Sequence, residues 1–349
     1  MHDIRLALGL IGFLSVGIFL GFRRLLRFTP PRALDAVAVG LMLLMAAYLK
    51  FVWGQLWIVN WIPLPSVIVL SNWFPLLLAG MAAVVWIRMG GEASLRKSAG
   101  ADQASVVGSP GSLKPAWMDR TLGIRRIFMM GIILAGAIWS VMYFIPAEPH
   151  ECGDEWAAPP PLLEWPVCLQ THPDTCSAAS SATILKTLGI EATEQEMAEL
   201  CLTRRGTTWL GLYHGLATKL LGTRHKVEFF ESDVASLPAI AEKSALLLCC
   251  QLNSETAQQV PEYVTHGGWK PGIAHSVVYF GLFEGRHIVG DPSRGYEAWS
   301  DQDLDILWTR QGLRITDRVR SRRVLSSAAG GERPLRQIQL PQYTPGKIL

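Results

Sequence analysis

Apolar positions along the chain fall into two regimes that meet near residue 146. Before it, apolar residues run on with no polar face over 6–22, 33–53, 68–87 and 127–145. Each run comes close to the ~20 residues a helix needs to cross a bilayer, so 1–146 is expected to be an all-α transmembrane region of about four helices. Beyond it the pattern shortens. From Cys176 to Leu188 the residues read as a helix, with Gly189 as its stop. Thr193 and Glu196 have the spacing of a capping box that opens a second helix to about Leu202, and "TTWLGLYHGLATKLLG" reads as a third. "HKVEFF", "ALLLCCQL", "HSVVYFGLF" and "RHIVGD" follow as strands. Helices first and an antiparallel sheet afterwards predict an α+β unit over 167–315.

Charge adds an orientation. Arg23, Arg24, Arg27 and Arg32 lie between the first two runs, and seven Lys or Arg residues, from Arg88 to Arg126, lie within 88–126. "GQLWIVNWIPLPSV", between the second and third runs, carries no charge. The positive-inside rule therefore makes 88–126 a cytoplasmic loop and the uncharged stretch external. Four crossings place the C-terminal domain on the periplasmic or outer face of a multi-pass, bacterial-type inner membrane. A fifth crossing through 56–70 would put one basic loop on the wrong side. That stretch is read instead as interfacial, anchored by Trp53, Trp57, Trp61 and Trp73. The first run is not a cleaved signal, since basic "RRLLRFTPPR" follows it in place of a small-residue cleavage site. Pro75 is tolerable inside the third run where a neighbouring helix takes the carbonyl it frees. The proline-rich 147–166 reads as a stalk and 316–349 as a basic, weakly structured tail. No aromatic platform accompanies the tail's arginines, so no nucleic acid is expected as a partner; the bilayer is one, and membrane proteins are further candidates.

All six cysteines (152, 168, 176, 201, 249 and 250) follow the last apolar run. No C-x-x-C or H-x-x-x-H pair occurs among them and the histidines, so neither a metal nor a cofactor is expected. Cys176 stands at the start of its helix, where a thiolate is favoured, with Asp174 or Thr175 as the cap. Gln170, on the loop entering that helix, can offer its amide to an oxyanion beside the N–H of Cys176. A base must come from elsewhere in the chain. His275 begins one strand and Asp291 ends the next; a turn at Glu284–Gly285 would bring them within a residue or three of register. The bland readings are a buried or disulfide-bonded cysteine, a satisfied strand histidine and an aspartate capping the turn into "PSRG". His172 is the rival base but has no evident orienting acid, and His214, His225, His266 and His287 are given no catalytic part. Cys168 is read as structural, with Cys152 as a candidate partner, and a bridge from Cys201 to Cys249 or Cys250 is a second candidate pairing.

"QTHPDTCSAASSATILKTLGI", then "GTTWLGLYHGL", then "HSVVYFG" and "HIVGDP", resemble the double-glycine, bacteriocin-processing peptidases, family thirty-nine of the cysteine peptidases. The resemblance covers about 167–308 and none of the membrane part. It implies a papain-like α+β fold in which Cys176 is the nucleophile, His275 the base, Asp291 the orienting acid and Gln170 the oxyanion donor, acting on a peptide or protein substrate. Thr175 and Ser177 flank the cysteine where the best-known members have Asp and Gly. No phosphate-binding glycine loop of an export ATPase is present either, so cleavage after a double glycine is not carried over. Two other readings stay open: an inactive peptide-binding or assembly module, and an acyltransferase or amidase using the same thiol.

Overall fold

The structure, a computed structural model, describes residues 2–89, 116–142, 144, 151–161 and 163–318. Most of the expected cytoplasmic loop and nearly all of the expected tail lie outside the described residues.

Three helices are long and apolar enough to cross a membrane: Asp3–Leu25 within α1 (His2–Leu25), α2 (Pro31–Phe51), and Val67–Met89. The third is broken at 71–73 into α3 (Val67–Leu70) and α4 (74–89). The break answers Pro75, which then sits in the first turn of α4, where its missing N–H costs nothing. The carbonyl four residues before it, that of Ser71, accepts the Tyr48 hydroxyl of α2 at 2.8 Å. The fourth expected span is the end of α5 (Ala116–Met142), whose apolar stretch Ile127–Met142 is shorter.

The stretch 56–70 is not one continuous helix. Leu56–Asn60 forms a 3-10 turn and leads to α3, with Leu56, Ile58, Val59, Val67, Ile68 and Val69 all buried. They share one apolar core with Ile4, Ala7 and Ile11 of α1 and with the C-terminal domain.

That domain is α+β. The segment expected as a stalk contributes β1 (Glu155–Ala157), paired antiparallel with β2 (Val167–Leu169). Then come α6 (Cys176–Lys186), α7 (Glu194–Leu200), α8 (Trp209–Lys219), β3 (His225–Glu231), α9 (Leu237–Ala241), β4 (Leu246–Gln251), α10 (Thr256–Gln259), α11 (Pro261–Thr265), β5 (Ala274–Phe283), β6 (Arg286–Asp291), β7 (Gly295–Trp299), α12 (Asp301–Leu307) and β8 (Trp308–Asp317). The main sheet has six strands in the order β3-β8-β4-β5-β6-β7, every neighbour antiparallel. β8, unforeseen as a strand, is therefore internal, and it runs past the expected domain end at residue 315.

α6 packs on β4 and β5 and is buried along nearly its whole length. Its alanines and serines allow a close approach to the sheet. The hydroxyls are satisfied at once: Ser180 donates to the Ser276 carbonyl at 2.8 Å, and Ser177 shares a 2.8 Å bond with the Ser276 hydroxyl. Each such bond is worth ~1 kcal/mol net, but an unpaired hydroxyl would cost more. Gly189, at φ 69°, ends the turn after α6 as expected.

Candidate active site

Cys176 is the first residue of α6, so its N–H has no partner within the helix. Thr175 occupies the capping position but does not cap. Its hydroxyl donates to the His172 carbonyl at 2.7 Å and makes a very short contact with the Glu194 carboxylate. Glu194, fully buried, also accepts the Thr171 N–H at 2.9 Å and the Thr171 hydroxyl at 2.7 Å. One carboxylate at the start of α7 thus ties down both ends of the loop between Gln170 and Cys176. The sequence reading favoured its neighbour Glu196. That residue's backbone N–H is capped by Thr193 at 3.1 Å, but its carboxylate turns away to Lys219 at 2.5 Å.

The hairpin β5–β6 supplies the other half of the site. Glu284 and Gly285 turn it, both at positive φ (48° and 74°), the combination that suits a tight hairpin. A bulge then decides the chemistry. Phe283 faces Arg286, but beyond an extra residue at Phe280 the pairing becomes Val278 with Gly290. One step further, Asp291 lies beside Val277, on the face that carries His275. Without the bulge it would oppose Val278 and point to the other side of the sheet. The outcome is a bond of 2.9 Å between His275 Nε2 and Asp291 Oδ1. Ser293 donates to the same oxygen from its N–H (2.8 Å) and hydroxyl (2.7 Å). The Trp269 indole N–H donates to Oδ2 at 2.9 Å, and its ring lies 4.1 Å from the imidazole. Both Asp291 oxygens are therefore engaged, Oδ1 by three bonds and Oδ2 by one.

With Nε2 engaged, Nδ1 is the ring nitrogen left over; the Cys176 thiol, 3.9 Å from the Ala274 carbonyl and 4.0 Å from the Ser177 hydroxyl, lines the same cavity as the imidazole. Cys176 is 6% exposed and His275 7%, so each meets solvent only by an edge. Burial alone would raise the Cys176 thiol; the charge and hydrogen bond of His275, with bonds from Ser276 and Ser177, reverse this and hold it below its ordinary value. Burial alone would lower His275, but the Asp291 charge and then that of Cys176 push it up to about 10. Asp291, against its own burial, is lowered by His275. The three groups favour one charge pattern: thiolate, imidazolium, carboxylate.

The other thiols behave oppositely. Burial raises Cys152 to about 11, and Cys168 and Cys201 each to about 12. Cys249 and Cys250 go higher still for the same reason. All six cysteines are free, which corrects both the Cys152–Cys168 pairing and the bridge from Cys201 to Cys249 or Cys250.

Gln170 reaches the site because β2 crosses β6 at Gly290, where an added Cβ would lie 2.6 Å from Val167. Its N–H donates to the Pro292 carbonyl at 2.8 Å. The side-chain Nε2 makes only a long 3.4 Å bond to the His172 carbonyl, and Oε1 is buried without a partner. His172 stays on the entry loop, its Nδ1 accepting the Asp174 N–H at 3.3 Å. Gln170, Cys176, Trp269 and His275 line a cavity of about 300 Å³. Among the described residues no group of three or more His, Cys, Asp or Glu is placed to hold a metal ion.

Trp269, Glu194 and His214 carry more of this architecture than their sequence context shows. His214, given no catalytic part, instead docks the domain: its Nδ1 lies 2.6 Å from the carbonyl of Pro65.

The α+β body is similar to peptidase domains of known structure. The peptidase domain of Streptococcus ComA, a bifunctional ABC transporter of a quorum-sensing pathway, is 20% identical with a TM-score of 0.34, over 43% of this chain and 96% of that one. The peptidase domain of Streptococcus mutans ComA is 18% identical with a TM-score of 0.30, over 42% and 96%. A double-glycine motif protease from an AMS/PCAT transporter, solved with its leader peptide, is 17% identical with a TM-score of 0.32, over 44% and 92%. No family model matches the chain, and no curated protein does.

Proposed function

We propose that the chain is a membrane-anchored cysteine peptidase with a papain-like domain, in which Cys176 is the nucleophile, His275 the base, Asp291 the orienting acid and Gln170 an oxyanion donor. One observation carries the reading. Of six free thiols only Cys176 is lowered, and it lines one cleft with His275 of the buried imidazole–carboxylate pair.

In this mechanism the Cys176 thiolate attacks a peptide carbonyl. Negative charge moves to the carbonyl oxygen, where the unpaired N–H of Cys176 meets it. The Gln170 amide exchanges its long bond to His172 for a shorter, charge-assisted one. His275 delivers its Nδ1 proton to the leaving amine, and water, deprotonated by the same nitrogen, releases the acyl group. Asp291 keeps the ring oriented and its charge balanced throughout.

The N-terminal segment, 56–70 and the domain share one core, so they lie on one side of the bilayer. An even number of crossings between them, α1 with α2 and α4 with α5, fits that arrangement and makes α5 the fourth span. Basic residues then collect on the opposite side, and by the positive-inside rule this supports a domain on the periplasmic or outer face.

The test is alkylation of the purified full chain by an electrophilic thiol probe. Cys176 is expected to react faster than the other five cysteines, and His275→Ala to remove that advantage. Equal reactivity of all six, unchanged in the variant, overturns the reading. On intact cells an impermeant protease should reach the domain; full protection would reverse the topology.

A further inference from the structure

The cleft at Cys176 is the inner end of a longer groove. It opens into a second cavity of about 580 Å³, with Arg205, Gly206, Ile273 and Ala274 common to both. Residues 204–208 form one wall of the outer part and 272–274 the other.

The first wall is fixed to the membrane region twice. Arg204 donates from Nη2 to the carbonyl of Met142, the last residue of α5, at 3.0 Å. The wall also runs directly into α8, capped by the Thr208 hydroxyl, and α8 lies on α3 with His214 bonded to Pro65. From Thr208 to His214 is six residues, about 9 Å along a helix axis. Trp53, Trp57, Trp61 and Trp73, all exposed, surround that platform as residues at a bilayer surface do. One end of the groove therefore opens beside the end of α5, and the other holds the thiol.

We propose that the substrate is a polypeptide anchored in the same membrane, which enters the groove as it leaves the bilayer beside α5 and is cut a short distance outside its own span. This rests on the peptidase reading and adds the substrate class. The reaction is hydrolysis: the amide bond breaks, water supplies the OH of the new carboxyl group, and its proton ends on the released amine. An extended chain advances ~3.3 Å per residue, so about ten residues between anchor and cut bond are enough to reach Cys176. About two would hold the bond at the headgroups, below the thiol.

The experiment uses the full chain in proteoliposomes. The probe is a mixed-sequence fluorogenic peptide pool, free or coupled to phosphatidylethanolamine through a Gly-Ser spacer of about 2, 10 or 40 residues. The ~10-residue spacer should be cut fastest, about ten-fold or more above the free pool, and Cys176→Ala should abolish it. Going from ~10 to ~40 residues should lose about eight-fold, the −3/2 power expected of a flexible tether. The inference is overturned if the free pool is cut as fast, if rates climb up to the longest spacer, or if no pool is cut by a chain whose Cys176 reacts with a soluble electrophile. A Cys176 unreactive even to that electrophile sinks the peptidase reading itself.

Discussion

The hairpin β5–β6 carries two histidines, one near each end and each bonded to an aspartate, and the two pairs have different surroundings. At the open end His275 Nε2 meets Asp291 at 2.9 Å; near the turn His287 Nε2 meets Asp301 at 2.8 Å. The bonds are nearly alike, and both rings are buried. What differs is the second nitrogen. His287 spends its Nδ1 on the Tyr279 hydroxyl at 3.0 Å, so its ring is saturated. His275 has Nδ1 left over, at a cavity that Cys176 also lines. The carboxylates differ as well: the Asp301 side chain is 79% exposed and Asp291 is fully enclosed. An imidazole–carboxylate pair is thus a common structural device, and a vacancy beside it makes it reactive.

The sharpest way to break the comparison is to remove each ring. His275→Ala should lower peptide hydrolysis by about 10⁴-fold, the scale of losing a triad member. His287→Ala should leave hydrolysis within about three-fold yet cost about 1–3 kcal/mol of stability, because it strands the buried Tyr279 hydroxyl. Rates and melting temperatures of the two variants separate the cases; equal kinetic losses would refute the distinction.

Gln170→Ala tests whether the open end holds an oxyanion donor. Hydrolysis should fall about 10²–10³-fold, while alkylation of Cys176, which forms no oxyanion, keeps its wild-type rate. A parallel fall in alkylation would show that Gln170 only shapes the loop.

The pH profile sharpens the charge pattern. Alkylation follows the thiolate, so wild-type Cys176 should react at pH values below those at which an ordinary thiol does. Hydrolysis also needs the imidazolium, and it should fall as pH rises through about 10, where His275 loses its proton. In His275→Ala only the bonds from Ser276 and Ser177 still oppose burial, and the alkylation profile should move to higher pH.

The smallest effect is expected at Trp269. Trp269→Phe keeps an aromatic ring near His275 and deletes only the N–H to Asp291. A loss of about 1 kcal/mol, roughly five- to ten-fold in kcat, is predicted, with the alkaline limb moved to higher pH because Asp291 keeps more of its charge for the imidazolium. A purely structural role would lower stability and leave that limb in place.

Much of the site was legible because its parts sit at element boundaries, which sequence marks well. Cys176 opens a helix, and His275 and Asp291 close the two ends of a hairpin whose turn residues are distinctive. The bulge at Phe280 decides the face on which Asp291 lies, and its one mark in "SVVYFGLF" is Gly281, at φ 141°, a signal too weak to fix where the extra residue sits. Trp269 follows two glycines in a loop with no periodicity, so its aim at Asp291 exists only in three dimensions. Glu194 was obscured by Glu196, which has the better capping spacing but a surface partner. β8 escaped because Arg310 and Arg314 interrupt its apolar alternation, and only folding shows them paired with Asp305 and Glu228. In the N-terminal part the opposite holds: apolar runs announce helices, but they do not separate the long, mostly exposed α2 from the buried 56–70.

The buried seam between 56–70 and α8 also has a meaning in time. A ribosome delivers α1 to α4 well before Trp209 exists, so the platform is inserted and waiting when α8 emerges. The last part of the domain's core then closes against protein already held in the lipid. A chain stripped of its spans would reach that step with its apolar seam facing water, and so be prone to aggregate. The α+β half is therefore expected to fold only with its N-terminal helices attached.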